Sequence, residues 1–422
     1  MSLNKLRSEK LDAKTGIVVF LAFAAAYFCS ALVRAITATL SPVLTQEFSL
    51  KASDLGLLAG GYFLGFAVTQ LPLGAWLDRY GPKRVILYFL SLAVLGCLAF
   101  SVATSFAWLL AARILVGMGV SACLMAPLTG YRRWFDTSVL LRTNSWMLMT
   151  GSLGMLASTL PVQWLMPMTG WRPLFWILAG MIFVSMLIIA RVVPRWPDSK
   201  PDLTALDQAS TTSTPTKNSY AEIWKNRYFQ KMAPLAFFNY GGLLALQTLW
   251  AGPWMVKVSG YTPLEAAAGL FYINAAMLMT FWMWGMVNPA LARNGWSIDR
   301  LITWGVPISL VTLGINICAG SSTGWFGWAV FCMASTFVSL SQPAVGMAFR
   351  PSLAGRALSG FNLVIFSGIF VMQWGIGLLI DAFAAAGLSQ LASFQGAMLV
   401  FLCCCIASYG YFLCTKADNS IQ

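Results

Sequence analysis

The sequence predicts an all-α membrane protein of twelve transmembrane helices in two pseudosymmetric bundles of six, and three observations carry that prediction. The chain of 422 residues is 58% hydrophobic and only 10% charged, with a mean hydropathy of +0.72, far outside the range of soluble proteins. Its apolar residues gather into twelve runs of about 20, the length that crosses a hydrocarbon core. Of its 27 Lys and Arg, 22 fall in segments that this topology places on one face, 3 on the other and 2 inside spans. Loops rich in Lys and Arg resist translocation, so the basic face is the cytoplasmic one and both termini lie on it.

In order, residues 1–15 form a basic cytoplasmic tail, followed by spans at roughly 16–41, 54–77, 84–103, 106–130, 144–166 and 174–193. The apolar run after the tail is too long for a cleaved signal, so it is expected to remain as the first helix. A polar break at 194–231 contains PRWPDSKPD and STTSTPT and ends in YAEIWKNRYF, a cytoplasmic linker with a short surface helix at its close. Six further spans follow at roughly 232–257, 264–288, 300–319, 324–349, 357–380 and 393–414, and residues 415–422 form a second tail. The division is therefore an N-terminal bundle over 16–193 and a C-terminal bundle over 232–414.

The halves echo one another. A shift of 213 residues lays Tyr27 on Tyr240 and Arg34 on Gln247, and a shift of 214 lays Arg142 on Arg356. The loop beginning at Gly74 has a degenerate partner, GMVNPALARNG, beginning at Gly285. A duplicated six-helix unit leaves such traces, and its substrate site is expected between the halves near the midplane.

The stretch LPLGAWLDRYGPKRV from Leu71 to Val85 is where an apolar span meets four charges at a tight turn. Gly74, Asp78, Arg79, Gly81, Lys83 and Arg84 resemble the GxxxDRxGxxR loop between the second and third spans of the major facilitator superfamily. Arg113, Gly117 and Gly119 resemble that family's RxxxGxG pattern in the fourth helix, and the Gly170, Trp171, Arg172 turn before the sixth is also familiar. The resemblance implies the major facilitator fold and alternating access. It implies a gating role for Gly74, Asp78, Arg79, Gly81 and Arg84, in which Asp78 sits near the start of a later helix and closes the cytoplasmic side. The fifth helix departs from the GPxxGG signature of drug and proton antiporters, reading GSLGMLASTLP instead, which weakens an efflux assignment.

Ionisable residues within a membrane are costly and mark function. All fourteen Asp and Glu fall near span ends or in loops, and the chain has no His. The two deep charges are Arg34 and Arg113, each about eight residues, or roughly 12 Å, below the outer end of its span. In the family resembled, the first and fourth helices line the central cavity, so both guanidiniums face one aqueous space and await an anion. A guanidinium holds carboxylate or phosphate in a two-pronged grip. Arg34 is similar to the first-helix arginine of organic-anion members, whereas Arg113 belongs to a pattern found across the superfamily and can instead bond backbone carbonyls. Tyr27, Tyr240, Gln247, Asn274, Gln342 and Asn362 are the polar residues expected to complete the substrate site, with Trp250 as an apolar wall.

The function expected is transport of a small organic anion, a carboxylate, across a bacterial inner membrane by a monomer. Short outer loops and the lack of any Asn-x-Ser/Thr site fit that membrane. No cofactor, metal site or nucleic-acid partner is expected: the charge of +13 is dispersed among loops, and the nine Cys lack ligand spacing. An enzyme is excluded by the lack of a deep nucleophile with a base. A coupling ion is left open, because exchange, uniport and symport all suit a membrane core without Asp, Glu or His. The alternatives are export of amphipathic compounds or drugs, and import of Cu(I) or another soft metal on Met279 and Met283, flanked by Met277 and Met286.

Overall fold

The computed structural model describes residues 10–194 and 219–415, and among them every regular element is helical. Among the described residues, nine helices are long and apolar enough to cross a membrane. One of them, Ala52–Ser101, is 50 residues long and doubles back at Gly81, where φ is 75°, so it supplies spans 2 and 3. Two further spans are broken into pieces: span 5 is Thr137–Ala157 followed by Leu160–Thr169, and span 7 is a string of helical segments from Arg227 to Lys257. Twelve crossings result, in agreement with the hydropathy.

The remaining spans are Ala13–Phe48 (1), Phe106–Val120 continued by Ala122–Trp134 (4), Trp171–Val192 (6), Pro263–Arg293 (8), Ile298–Ala319 (9), Trp325–Ser335 through Ser341–Met347 (10), Pro351–Ala385 (11) and Gln390–Cys414 (12). A short helix, Ser219–Lys225, precedes span 7, and Arg350 approaches its Glu222 at 4.0 Å. The tail before Lys10, the linker over 195–218 and the tail after Thr415 lie outside the described residues.

Without hydrophobic drive between helices in lipid, close backbone approach must hold the bundle together, and small residues allow it. The glycines of the fourth span show this directly: a methyl at Gly117 would lie 2.0 Å from the Tyr62 carbonyl oxygen, and one at Gly119 2.2 Å from the Ala93 amide. Span 4 is thereby seated on spans 2 and 3. The GSLG stretch of span 5 does the same for span 1, with Gly154 against the Phe28 carbonyl and Gly151 under the Tyr27 ring. The two halves meet chiefly along spans 2 and 11, where the tilted rings of Phe66 and Phe366 have centroids 4.2 Å apart, and where span 1 crosses span 7.

Span 7 is not a regular α-helix up to Gly252 and Pro253. Two π-helical turns, Ala236–Tyr240 and Leu246–Trp250, precede that dipeptide. Each widened turn shifts side-chain directions, and such bulges recur at functional sites. Here they carry Tyr240 and Gln247.

Candidate functional site

Arg34 lies on span 1 midway between the faces and retains partial accessibility, while its Nε is enclosed without a hydrogen-bond partner. It forms no ion pair among the described residues. Three phenols surround it: Tyr27 from its own helix, Tyr62 from span 2 and Tyr240 from the first π turn of span 7 act on its charge or on one another. Tyr27 and Tyr240, equivalent in the internal repeat, thus meet across the two halves beside one guanidinium. Ser30, one turn away, has a buried hydroxyl with no partner. An enclosed polar group left unpaired is costly, which makes this cluster a candidate site.

Arg113 has a different environment. Its guanidinium donates from Nη1 to the Val33 carbonyl at 2.9 Å and from Nη2 to the Arg34 carbonyl at 3.2 Å. Its Cζ lies 5.1 Å over the Tyr62 ring, and the residue is 1% exposed. The expectation that both arginines face one aqueous space is corrected: Arg113 is spent on the backbone of span 1, the bonds that a buried cation makes when no carboxylate is near. It braces the segment that presents Arg34.

The second half contributes amides in pairs. Gln247 donates to Asn274 Oδ1 at 2.9 Å, and Asn274 in turn donates to the Leu270 carbonyl, joining spans 7 and 8. Gln342 donates to Asn362 Oδ1 at 2.6 Å, joining spans 10 and 11, and Gln342 keeps partial exposure. Each pair retains unspent amide groups after its internal bond. Trp250, expected as an apolar wall, is fully buried, donates to the Gln373 carbonyl at 3.0 Å and packs on Phe394. An indole N–H inside a membrane needs an acceptor, and a neighbouring backbone supplied one. Tyr62 was missed by sequence reasoning, although a phenol within an apolar run is itself the signal that a polar partner is near.

Toward the face opposite the basic loops, Ser41, Thr45, Gln46, Leu55, Pro253 and Val256 line a cavity of about 240 Å³ between spans 1, 2 and 7, with Lys257 at its rim. On the basic face, Asp78 and Arg79 continue the helix of span 2 and stand exposed, and the chain turns only at Gly81. Asp78 makes no ion pair among the described residues, so the contact expected of it is not formed in this state. A methyl at Gly74 would lie 3.9 Å from Ser359 Oγ of span 11, and Lys83 donates to the Val193 carbonyl at 2.6 Å, tying the loop to span 6. Arg84 is exposed. Of the methionines expected for a soft metal, Met279, Met283 and Met286 are exposed and Met277 is buried.

Comparison with known proteins fits this architecture. The chain is 26% identical to the 4-hydroxybenzoate transporter of Pseudomonas aeruginosa over 349 residues, covering 75% of this chain and 73% of that one. It is 24% identical to the hexuronate transporter of Escherichia coli (80% and 77% covered) and 25% identical to the gallate transporter of Pseudomonas putida (83% and 86%). Among solved structures, a bacterial homologue of the human lysosomal transporter Spinster superposes with a TM-score of 0.77 at 16% identity, covering 96% of this chain and 98% of that one. A D-xylose–proton symporter gives 0.77 at 12% identity with the same coverage. The model of the Major Facilitator Superfamily matches residues 23–372. A twelve-span helical chain with that match belongs to the Major Facilitator Superfamily and is a multi-pass membrane transporter of small molecules, not an enzyme.

Proposed function

We propose that this protein carries a small organic anion, a carboxylate, by alternating access of residues 16–193 against 232–414, with Arg34 as the group that binds it. The observation that carries this reading is the Arg34 guanidinium, unpaired by any carboxylate among the described residues and ringed by Tyr27, Tyr62 and Tyr240. A cation in that setting is neutralised most simply by its cargo. The relatives named above carry hydroxybenzoate, hexuronate and gallate, all carboxylates, which supports the same class. Phenol hydroxyls beside the guanidinium add donors for the second carboxylate oxygen, and the Gln247–Asn274 and Gln342–Asn362 pairs offer amides to hydroxyl groups on the remainder of the cargo. Arg113 supports the site by holding the backbone of span 1 in place. The charge distribution favours both termini in the cytoplasm of a bacterial cell, the protein acting in the inner membrane as a monomer. On that reading the Gly74 to Arg84 loop closes the cytoplasmic side, with Asp78 engaged only in the opposite state.

The test is the thermal stability of the purified protein against a panel of organic anions, organic cations and Cu(I), repeated with Arg34→Gln. Ligand bound to the folded state raises apparent stability by mass action. Stabilisation by carboxylates that vanishes in Arg34→Gln is the expected result. Stabilisation by cations or Cu(I), or carboxylate binding indifferent to Arg34, overturns the proposal.

A further inference from the structure

A helix leaves its first backbone amides without intrahelical partners, and six of the twelve spans here cap them with a local side chain. Asp12, Ser105, Asn226, Ser297 and Ser389 accept from amides two or three residues ahead. Span 8 has a reciprocal cap, in which Glu265 accepts from the Thr262 amide at 2.8 Å and Thr262 Oγ1 accepts from the Glu265 amide at 3.3 Å. Span 2, its counterpart in the first half, begins at Lys51, whose side chain has no acceptor. Asp54 takes the Lys51 amide at 3.0 Å, which leaves the amides of Ala52 and Ser53 to be satisfied.

They are satisfied from the other half of the protein. Asp381, near the end of span 11, accepts from Ala52 through Oδ1 at 3.1 Å and from Ser53 through Oδ2 at 2.8 Å. The backbones come close at the same place: a methyl at Gly377 would lie 2.4 Å from the Ala52 carbonyl, and one at Gly56 2.3 Å from the Gln373 carbonyl. Of the described carboxylates, Asp381 is the one whose bonds cross between halves. Glu47 pairs with Arg172 inside the first half, Asp299 with Lys231 inside the second, and Asp136 with Lys10. The charged groups around Asp381 are Lys51 and Asp54 of the turn it caps and Lys257 at the end of span 7, which feels its charge.

We propose that Asp381 is the latch of the gate on the face opposite the basic loops. Its carboxylate substitutes for the cap that Lys51 cannot provide, adds a favourable charge at the positive end of the span 2 dipole, and so binds spans 2 and 11 together in the state seen here. For the halves to part on this face, both bonds must break, leaving two orphan amides and an uncompensated carboxylate until water enters. The cost falls on the closed-to-open step alone. It is independent of the cargo, so its failure leaves the carboxylate reading untouched.

Hydrogen exchange of the full-length protein, without substrate, tests this in wild type, Asp381→Ala, Asp381→Asn and, as a control, Glu265→Gln. Loss of the latch is expected to speed exchange about 10-fold or more at Ala52 and Ser53, a figure set by the strength of charge-assisted bonds. It is also expected to speed exchange at the cavity-lining ends of spans 1 and 7, around Thr45, Gln46, Val256 and Lys257, with Asp381→Asn intermediate because one acceptor oxygen remains. Acceleration confined to the first turn of span 2 would mean a cap without a gate and overturns the proposal, as does equal acceleration at those mouth segments in Glu265→Gln. Should Asp381→Ala fail to fold, Asp381→Asn decides: unchanged exchange at the mouth overturns the latch.

Discussion

Arg34 and Arg113 sit at similar depth on adjacent helices, both share the Tyr62 ring as a neighbour, and they do opposite things. Arg113 gives its two terminal nitrogens to the carbonyls of Val33 and Arg34, while Arg34 presents its guanidinium to three phenols, and each keeps an enclosed Nε without a partner. The difference shows how a membrane protein can hold a free charge in its interior. One buried cation is spent on the backbone of the neighbouring helix, and the other has phenols rather than backbone carbonyls beside it. Charge alone does not mark a binding residue; the number of its donors already used does.

The sharpest way to break this contrast is to exchange the fates of the two arginines. Arg34→Gln is expected to lower carboxylate uptake by about 100-fold or more while leaving the melting temperature of the unliganded protein unchanged, because a buried charge contact with cargo is worth roughly 2–5 kcal/mol. Arg34→Lys is expected to recover little of that loss, since an ammonium cannot reproduce the two-pronged grip. Arg113→Gln should give the reverse pattern, a fall in stability of about 2 kcal/mol from the lost backbone bonds, measured as a lower melting temperature, with ligand-induced stabilisation retained. Equal loss of ligand binding in both variants would erase the distinction.

A second comparison lies between a glycine that seats span 4 on span 2 and an amide that joins spans 10 and 11. Gly117→Ala places a methyl 2.0 Å from the Tyr62 carbonyl, so spans 2 and 4 must separate, at a cost of about 1–3 kcal/mol readable in thermal unfolding. Gln342→Leu removes one donor from a pair that joins spans 10 and 11, and a loss of about 1 kcal/mol, or a several-fold rise in KM for hydroxylated carboxylates, is expected in uptake assays. A smaller effect for unsubstituted carboxylates than for hydroxylated ones would assign Gln342 to the hydroxyl side of the cargo.

The repeat that sequence comparison detected has a physical counterpart. Gly81 and Gly295 both take φ of 75° at the turns on the basic face, although Gly295 stands three residues further into its loop than Gly81 does. The latch at Asp381 breaks that symmetry, because span 8 caps itself with Thr262 and Glu265 and span 2 does not. Its sequence signal was Lys51, a residue unable to cap, placed where a helix must start.

By itself the sequence determined what depends on residues near one another along the chain. Runs of apolar residues set the twelve crossings, the glycine at 81 set a turn, and two arginines without carboxylates inside the spans marked candidates for a site. The identity of Tyr27, Tyr240 and Arg34 as candidates was legible because phenols and cations are rare and expensive in hydrocarbon. Only the tertiary structure decided which arginine is free, that Trp250 is sealed against Gln373, that the four amides form two pairs, and that Asp381 reaches Ala52 and Ser53 across 329 and 328 residues. Those outcomes depend on which helix faces present their polar groups to each other. Hydropathy sums over a span and is blind to facing, whereas a hydrogen bond inside a membrane is made by whichever partner the packing brings within about 3 Å.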